Sequence, residues 1–579
     1  MAKNKTGFTP QWYEDEAPKN SYRSLFKWGG MTEFKHPNKR LFELVKEAFE
    51  MTDGDFENPH EEGLDPVSFN VPIKLAKCHQ DALREMVGDE NIQTSDYDRL
   101  RCSYGAGMID LMRMRKKIIE NLPDIVVCPR DQNDLIKILH YCDVHHIPLN
   151  IRGGGSTVTR GYEAVSNGVA LDMTRHMNRI LDFNELDQTI TVEAGIYGPA
   201  LEDIINHAPE RLGAKKAYTA GHFPQSFEYS TVGGWVVTKG AGQNSTYFGK
   251  IEDMVLSQEY VLPGGVYKTP AYPRYATGPD MNQVMMGSEG CFGVLSNVTL
   301  KLRHYQPENT RYYGFIFNNW QEGEAAMREI IQGEFGLPSV FRLSDGEETD
   351  VGLKLYGVEG TIADRIISAL GYQPMERCLM LGTADGDGQH TRMIKRKIQR
   401  ICRKHGAFDL SIFGVAQMWE HGRFRDPYLR EDLQDFGILT DTLECAVRWS
   451  QVSQVHDEVR KFVKSRPNTI CTSHISHVYP QGCNLYFIFF AKIDEIDEYL
   501  DLQYGVLEAI KNAGAAMSHH HGIGKQTAPW FKEQIGEVTY GALQVLKDYF
   551  DPNNILNPGG TLGFDLSEEQ KEKRWGYQK

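Results

Sequence analysis

The sequence has no CxxC pair. Its ten cysteines (Cys78, Cys102, Cys128, Cys142, Cys291, Cys378, Cys402, Cys445, Cys471 and Cys483) are scattered without metal-ligand spacing, so no cysteine metal or cluster site is expected. They read as reduced, mostly buried thiols of a cytosolic protein. No uninterrupted apolar run reaches the about 18 residues that a membrane span needs. Met1-Ala-Lys-Asn-Lys-Thr leads into no apolar signal segment, and Trp575-Gly-Tyr-Gln-Lys579 is not a peroxisomal address, so a cytoplasmic location is expected. Positive charge is in deficit: 63 Lys and Arg against 78 Asp and Glu leave a net −15. That balance argues against a nucleic-acid partner held by phosphate contacts. There is no internal repeat and no low-complexity segment. No Gly-x-Gly-x-x-Gly opens a helix, so the dinucleotide fingerprint of Rossmann folds is absent.

What the chain does have is glycine in clusters. Ile151-Arg-Gly-Gly-Gly-Ser-Thr-Val-Thr-Arg-Gly161 follows a short apolar run. Backbone N–H groups in such a loop form an anion-binding concavity, and Ser156, Thr157 and Thr159 add hydroxyl donors. Further clusters lie in Ser230–Gly249 and in Thr277-Gly-Pro-Asp280 leading to Met286-Gly-Ser-Glu-Gly-Cys-Phe-Gly-Val294. Each alone fits an ordinary turn. Together, with Ser or Thr beside the glycines, they suggest one extended ligand threaded through several loops.

At 579 residues the chain needs more than one core. Residues 1–100 read as an N-terminal extension with one helical pattern at 41–49. The pattern then predicts a β-α-β unit (strands at 124–128 and 147–151, helix at 131–145) that delivers the glycine loop at a strand end, where α/β units bind ligands. Strands at 168–173 and 189–194 and a helix at 199–207 follow. After residue 302 strands (312–318, 377–382, 485–490) alternate with helices (320–333, 361–370, 391–405, 452–465, 494–513). The expected fold class is α+β, divided into an extension (1–100), a cofactor domain (101–305), a cap or substrate domain (306–515) and a C-terminal segment (516–579) that returns to the cofactor domain.

The loop at 151–161, Ser230-Thr-Val-Gly-Gly-Trp235, Gly287-Ser-Glu-Gly290 and Asp551-Pro-Asn-Asn-Ile-Leu-Asn-Pro558 resemble the vanillyl-alcohol oxidase / p-cresol methylhydroxylase flavoprotein superfamily. Within it the chain is similar to the alkyldihydroxyacetonephosphate synthase family. That likeness rests on Tyr272-Pro-Arg-Tyr-Ala-Thr-Gly-Pro-Asp280, Pro338-Ser-Val-Phe-Arg-Leu-Ser-Asp345, Arg423-Phe-Arg-Asp-Pro-Tyr-Leu-Arg430, Asp441-Thr-Leu-Glu-Cys-Ala446, Leu485-Tyr-Phe487 and Ser518-His-His-His-Gly-Ile-Gly524. It implies a two-part FAD-binding domain with a cap domain. It also implies FAD contacts from Arg152, Gly153, Gly154, Gly155, Ser156, Thr157, Gly161, Ser230, Thr231, Gly234, Glu289, Gly290 and Val294. Some relatives attach FAD to a histidine of the first glycine loop; Ser156 and Thr157 stand in that region here, so noncovalent FAD is expected.

The activity implied is exchange of the acyl group of an acyl-dihydroxyacetone phosphate for a fatty alcohol, through an adduct at flavin N5, in ether lipid synthesis. Such chemistry needs a proton acceptor beside the ketone, cations for the phosphate and an apolar channel for the chain. The resemblance assigns Tyr486 as the active-site tyrosine and Arg430 and Arg274 as substrate-side arginines. His519, His520 and His521 cannot all face one way, so one or two are expected at the substrate and the rest in a structural role. Arg342 and His477 are weaker candidates. A small-molecule substrate, phosphorylated or carboxylated, a homodimer and a peripheral membrane contact for a lipid substrate are expected. No metal is expected.

The alternative is a flavin dehydrogenase or oxidase for a 2-hydroxy acid. Those relatives hold a metal through a His…His pair and a glutamate. Here His477-Val-Tyr-Pro-Gln-Gly-Cys-Asn-Leu-Tyr486 ends in tyrosine and histidine replaces the glutamate before His521-Gly-Ile-Gly524, which argues against that site. A flavoprotein subunit of an electron-transfer complex is a further alternative, which the lack of any cluster motif does not favour.

Overall fold

The computed structural model describes residues 16–30, 32–33 and 35–572. The readings at Met1–Thr6 and Trp575–Lys579 lie outside those residues.

The glycine loop leaves a mixed sheet of β1 (Ile92–Gln93), β2 (Ile125–Val127), β3 (Leu149–Arg152) and β4 (Val169–Asp172), in the order β1-β2-β4-β3. β4 runs parallel to both β2 and β3. All three residues of β2 are fully buried, as a strand covered on both faces requires. The helix Gln132–Val144 covers one face: Asp131 caps it, and Leu135, Ile138, Leu139 and Cys142 form its buried stripe. The chain end completes the sheet edge. The Leu149 N–H donates to the Ile555 carbonyl at 2.7 Å, and the Asn557 N–H donates to the Leu149 carbonyl at 2.7 Å.

Next come β5 (Ile180–Asn184), β6 (Thr189–Glu193), β7 (Tyr218–Thr219), β8 (Val255–Leu262), β9 (Gly265–Lys268), β10 (Val294–Lys301) and β11 (Arg303–His304). Five of them form an antiparallel sheet in the order β5-β6-β10-β8-β9, and β11 pairs with β7. The Ser230–Gly249 stretch, read as glycine loop, contains the helices Val232–Val237 and Ser245–Phe248. Thr231 caps the first through its hydroxyl. Two glycines in six residues hid it, because packing rather than propensity makes this helix.

The second lobe is one seven-stranded antiparallel sheet of β12 (Arg311–Phe317), β13 (Phe341–Ser344), β14 (Cys378–Ala384), β15 (Phe408–Asp409), β16 (Ile438–Arg448), β17 (Thr469–Tyr479) and β18 (Gly482–Lys492). Its order is β15-β12-β14-β13-β17-β18-β16. The helices Trp320–Ile331, Gly388–Lys404, Val452–Lys464 and Ile496–Asn512 bury one face. The other face fronts a cavity. Alternation sorts the side chains: Leu485, Phe487 and Phe489 enter the core, while Tyr486, Ile488 and Phe490 face the cavity. β13, β16 and β17 are absent from the sequence reading because their cavity-facing residues include Arg342, Thr440, Thr442, Thr472 and His474.

The N-terminal extension is part of this body. The helix Lys39–Ala48 buries Leu41, Phe42 and Val45 in a cluster with Leu429, Leu433 and Phe436. Arg23 and Arg115 both donate to Asp435, at 2.7 Å.

Candidate active site

A cavity runs from the glycine loop, between the lobes, to the cap sheet. Gly153, Gly154, Gly155, Ser156, Thr157 and Gly161 line one end, with Ser230, Thr231, Gly234, Glu289 and Gly290 beside them. At Gly154 an added Cβ would lie 2.0 Å from the Tyr229 carbonyl oxygen, and Gly155 has φ +86°, so both positions demand glycine. The loop is held from behind. Arg152, next to Asp172 at 3.5 Å, donates to the carbonyls of Gly153 at 3.0 Å and Gly154 at 3.1 Å. This turns the carbonyls away from the cavity. Arg152 therefore shapes the loop and is not among the residues lining the cavity. Val294 is fully buried, and its neighbours Gly293 and Leu295 line the cavity.

Glu289 joins this end to the histidine loop. Its carboxylate accepts the N–H groups of Ile523 and Gly524, each at 2.6 Å. Burial pushes its pKa up to about 7, against the lowering effect of those N–H groups.

At the cap end Tyr486 stands among imidazoles. Its ring stacks on His474 at 5.0 Å and on His520 at 6.0 Å between centroids. Its hydroxyl donates to Thr442 Oγ1 at 3.0 Å and lies 3.4 Å from His521 Nε2. Burial raises the phenol pKa well above its ordinary value, so Tyr486 is protonated at rest. His474 Nδ1 meets Glu348 at 3.1 Å, and Glu348 also pairs with Arg342. Burial alone would raise the Glu348 pKa, but Arg342 and His474 outweigh it and hold the carboxyl down to about 2.

The three histidines separate. His520 and His521 line the cavity. His519 turns away, its Nε2 2.8 Å from the Tyr479 hydroxyl and its ring stacked on His477 at 5.2 Å. Of the three, His519 is the structural one. Glu444 positions the loop by accepting the N–H groups of His519, His520 and His521 at 2.7, 3.1 and 3.0 Å. Burial drives His519, His520 and His477 well below the ordinary histidine pKa, with Lys250 and neighbouring imidazoles reinforcing it. They are neutral bases. Glu444, His520 and His521 bring potential metal-ligand atoms within 4.8 Å of one another. The glutamate oxygens are already taken by the three N–H groups and by the Ser518 hydroxyl at 2.9 Å, so the set serves the loop.

Arg430 lines the cavity from the helix Leu429–Gln434. One N–H donates to the Ala106 carbonyl at 2.7 Å, the indole of Trp28 covers its guanidinium at 4.5 Å, and its buried Nε has no partner among the described residues. Arg274 is not brought here. It sits on the exposed 270–280 loop between β9 and the helix Met281–Met285, outside the cavity lining. Tyr272 beside it is 65% exposed, so the motif that carried Arg274 is a surface turn. Arg342 and His477 do line the cavity. Trp28, Gln243, Glu348 and Thr442 are among the lining residues that the sequence did not single out, and His474 lines the cavity with them. A Trp in a polar extension and a Thr on a strand carry no local signal. The cap side of the cavity adds an apolar limb with Leu41, Val351, Leu355, Val358, Ile488 and Phe490.

A family model for an FAD binding domain matches residues 123–269, and one for the C-terminal domain of FAD linked oxidases matches residues 306–561. The chain belongs to the vanillyl-alcohol oxidase / p-cresol methylhydroxylase superfamily of FAD flavoproteins. Within that class it is similar to alkyldihydroxyacetonephosphate synthase of Dictyostelium discoideum, 28% identical over 87% of this chain and 84% of that protein. A solved alkyldihydroxyacetonephosphate synthase superposes with a TM-score of 0.77 at 25% identity, covering 92% of this chain and 98% of the other. A solved p-cresol methylhydroxylase shares the fold, with a TM-score of 0.63 at 14% identity over 85% of this chain and 98% of the other. FAD is the cofactor, and the side-chain-free cradle at Gly153–Gly155 fits its pyrophosphate.

Proposed function

We propose that the chain is an alkylglycerone-phosphate synthase-like transferase, which replaces the acyl group of an acyl-dihydroxyacetone phosphate with a fatty alcohol. One observation carries the reading. Tyr486 with His520 and His521, Arg430 and an apolar limb all open into the cavity that holds the cofactor cradle. The names of the relatives support the same reading.

The residues divide the work. Arg430, which lines the cavity, binds the phosphate as a cation. The apolar limb takes the long chain. His520 and His521 accept the proton taken from beside the ketone, and Tyr486 relays it between substrate and His521 Nε2. Bound FAD would supply an electrophilic ring. Residues 153–157, 161, 230, 231, 234, 289 and 290 would hold it, and with no histidine or cysteine in the 151–161 loop that loop offers no covalent link. Residues 101–305 form the cofactor domain, 306–515 the cap and 516–579 the returning segment. A homodimer and a peripheral contact with membrane for the lipid substrate belong to the same proposal.

Holoenzyme given acyl-dihydroxyacetone phosphate and labelled fatty alcohol should release free fatty acid and a labelled ether product. Flavin bleaching by a 2-hydroxy acid, with no exchange, would establish the dehydrogenase reading instead. Acid precipitation should leave a yellow supernatant; a yellow pellet would contradict noncovalent attachment. Tyr486→Phe should lower kcat by about 100-fold or more with the visible flavin spectrum retained.

A further inference from the structure

Two rows of side chains on the cap wall of the cavity change from chemical to apolar along their length. On β18 the row is Tyr486, Ile488 and Phe490, with His474 and Thr472 of β17 paired to the first two. On the helix Gly346–Leu355 it is Glu348, Val351, Gly352 and Leu355, which share one face. The rows start together, where His474 Nδ1 lies 3.1 Å from the Glu348 carboxylate. They also end together, since Val351, Leu355 and Phe490 pack against one apolar cluster that includes Leu41 and Leu429. The apolar limb of the cavity therefore has a carboxylate–imidazole pair at its head. The pair has a defined protonation. Burial opposes ionisation of Glu348, but Arg342 and His474 outweigh it, so the carboxylate only accepts and His474 Nδ1 carries the proton. Burial, with Arg342, lowers the His474 pKa, so the ring is neutral and its Nε2 keeps a lone pair. The Tyr486 hydroxyl does not use that nitrogen, being turned to Thr442 and His521. His474 is a proton acceptor separate from the path through Tyr486 and His521.

We infer that His474, oriented by Glu348, is the base that activates the incoming fatty alcohol. The inference rests on the synthase reading and assigns the second proton transfer of that reaction. The alcohol chain lies along the two rows, with its hydroxyl at His474 Nε2. The alcohol oxygen forms the new C–O bond to the dihydroxyacetone carbon. The C–O bond from that carbon to the acyl group breaks, and the fatty acid leaves as its carboxylate with the electron pair. The alcohol proton passes to His474 Nε2 and on to water, and nothing is oxidised or reduced. An un-ionised alcohol is a weak nucleophile, and an imidazole held by a carboxylate is the arrangement that strengthens one.

FAD-loaded full-length protein is given acyl-dihydroxyacetone phosphate in two assays. One follows ether formation with labelled hexadecanol. The other follows incorporation of labelled palmitate, which reverses acyl release and needs no alcohol. H474Q should lower the ratio of the first rate to the second by about 100-fold, and E348Q, which keeps the shape of the pair, by about tenfold. Hexadecanethiol ionises far more readily than the alcohol, so with it in place of hexadecanol most of the loss should disappear, which a loss of packing would not allow. The flavin spectrum checks folding, and if H474Q loses its flavin, E348Q decides alone. An unchanged ratio, equal loss of both rates with flavin retained, or no rescue by the thiol would overturn the inference and leave the synthase reading standing. Wild-type protein that catalyses neither reaction would overturn the synthase reading and this inference with it.

Discussion

Arg430 is a cation held in place by an aromatic ring from the far end of the chain. Trp28 covers one guanidinium face, and Ala106 takes one N–H. A cation–π contact out of water contributes up to about 2 kcal/mol. Trp28→Leu should therefore lower kcat/KM by up to about 30-fold, chiefly through KM, because the guanidinium plane is no longer fixed. His222 is a different case. It is 1% exposed, packs on Trp235, and neither ring nitrogen has a partner among the described residues. Burial, aided by Lys250, lowers its pKa to about 3. Above the unfolded value of 6.5 both states are neutral and the group has no effect. As pH falls below it, only the unfolded chain takes up the proton, so stability is lost at up to about 1.4 kcal/mol per pH unit. His222→Phe should flatten this acid limb, seen as a smaller Tm drop between pH 7 and pH 5 than wild type shows.

At the scale of elements, the site is two loops and one strand face. The loop at 518–524 has no regular structure of its own; Glu444 on β16 and Glu289 fasten its two ends. Glu444→Gln replaces two accepting oxygens by one, leaving buried N–H groups unpaired at a cost of about 1–3 kcal/mol. The expected outcome is loss of exchange activity with only a modest fall in Tm, read by kinetics and thermal melts. The same elements explain what was legible in the sequence. The helices at 132–144, 452–464 and 496–512 announce themselves by an apolar stripe at helical spacing. β16 and β17 do not, because the face they turn to the cavity is polar and chemical. The glycine loop was legible as a cradle, and Arg152 was legible as part of it. Its job as a brace against Asp172 was not, since Asp172 arrives from another strand.

Across the whole molecule the extension at 16–91 decides how the lobes stay together. Arg23 from the extension and Arg115 from the first lobe converge on Asp435 of the cap, all three buried. Asp435→Asn would remove the carboxylate that two buried cations share, leaving Arg23 on Asp432, at a cost of about 3–5 kcal/mol. A fall in Tm, with faster limited proteolysis of the extension, is the expected result. The chain's length, acidity, scattered thiols, glycine clusters and motif likenesses determined by themselves the α+β class and FAD as cofactor, and they pointed to Tyr486, Arg430 and the histidine triplet, because these are properties of residues near one another in the chain. Only tertiary structure decided that Arg274 lies outside the cavity lining, that His519 faces away from it, and that Trp28, Glu348 and Thr442 join it. Those are contacts between segments hundreds of residues apart, and nothing in local spacing encodes which of them the packed lobes bring face to face.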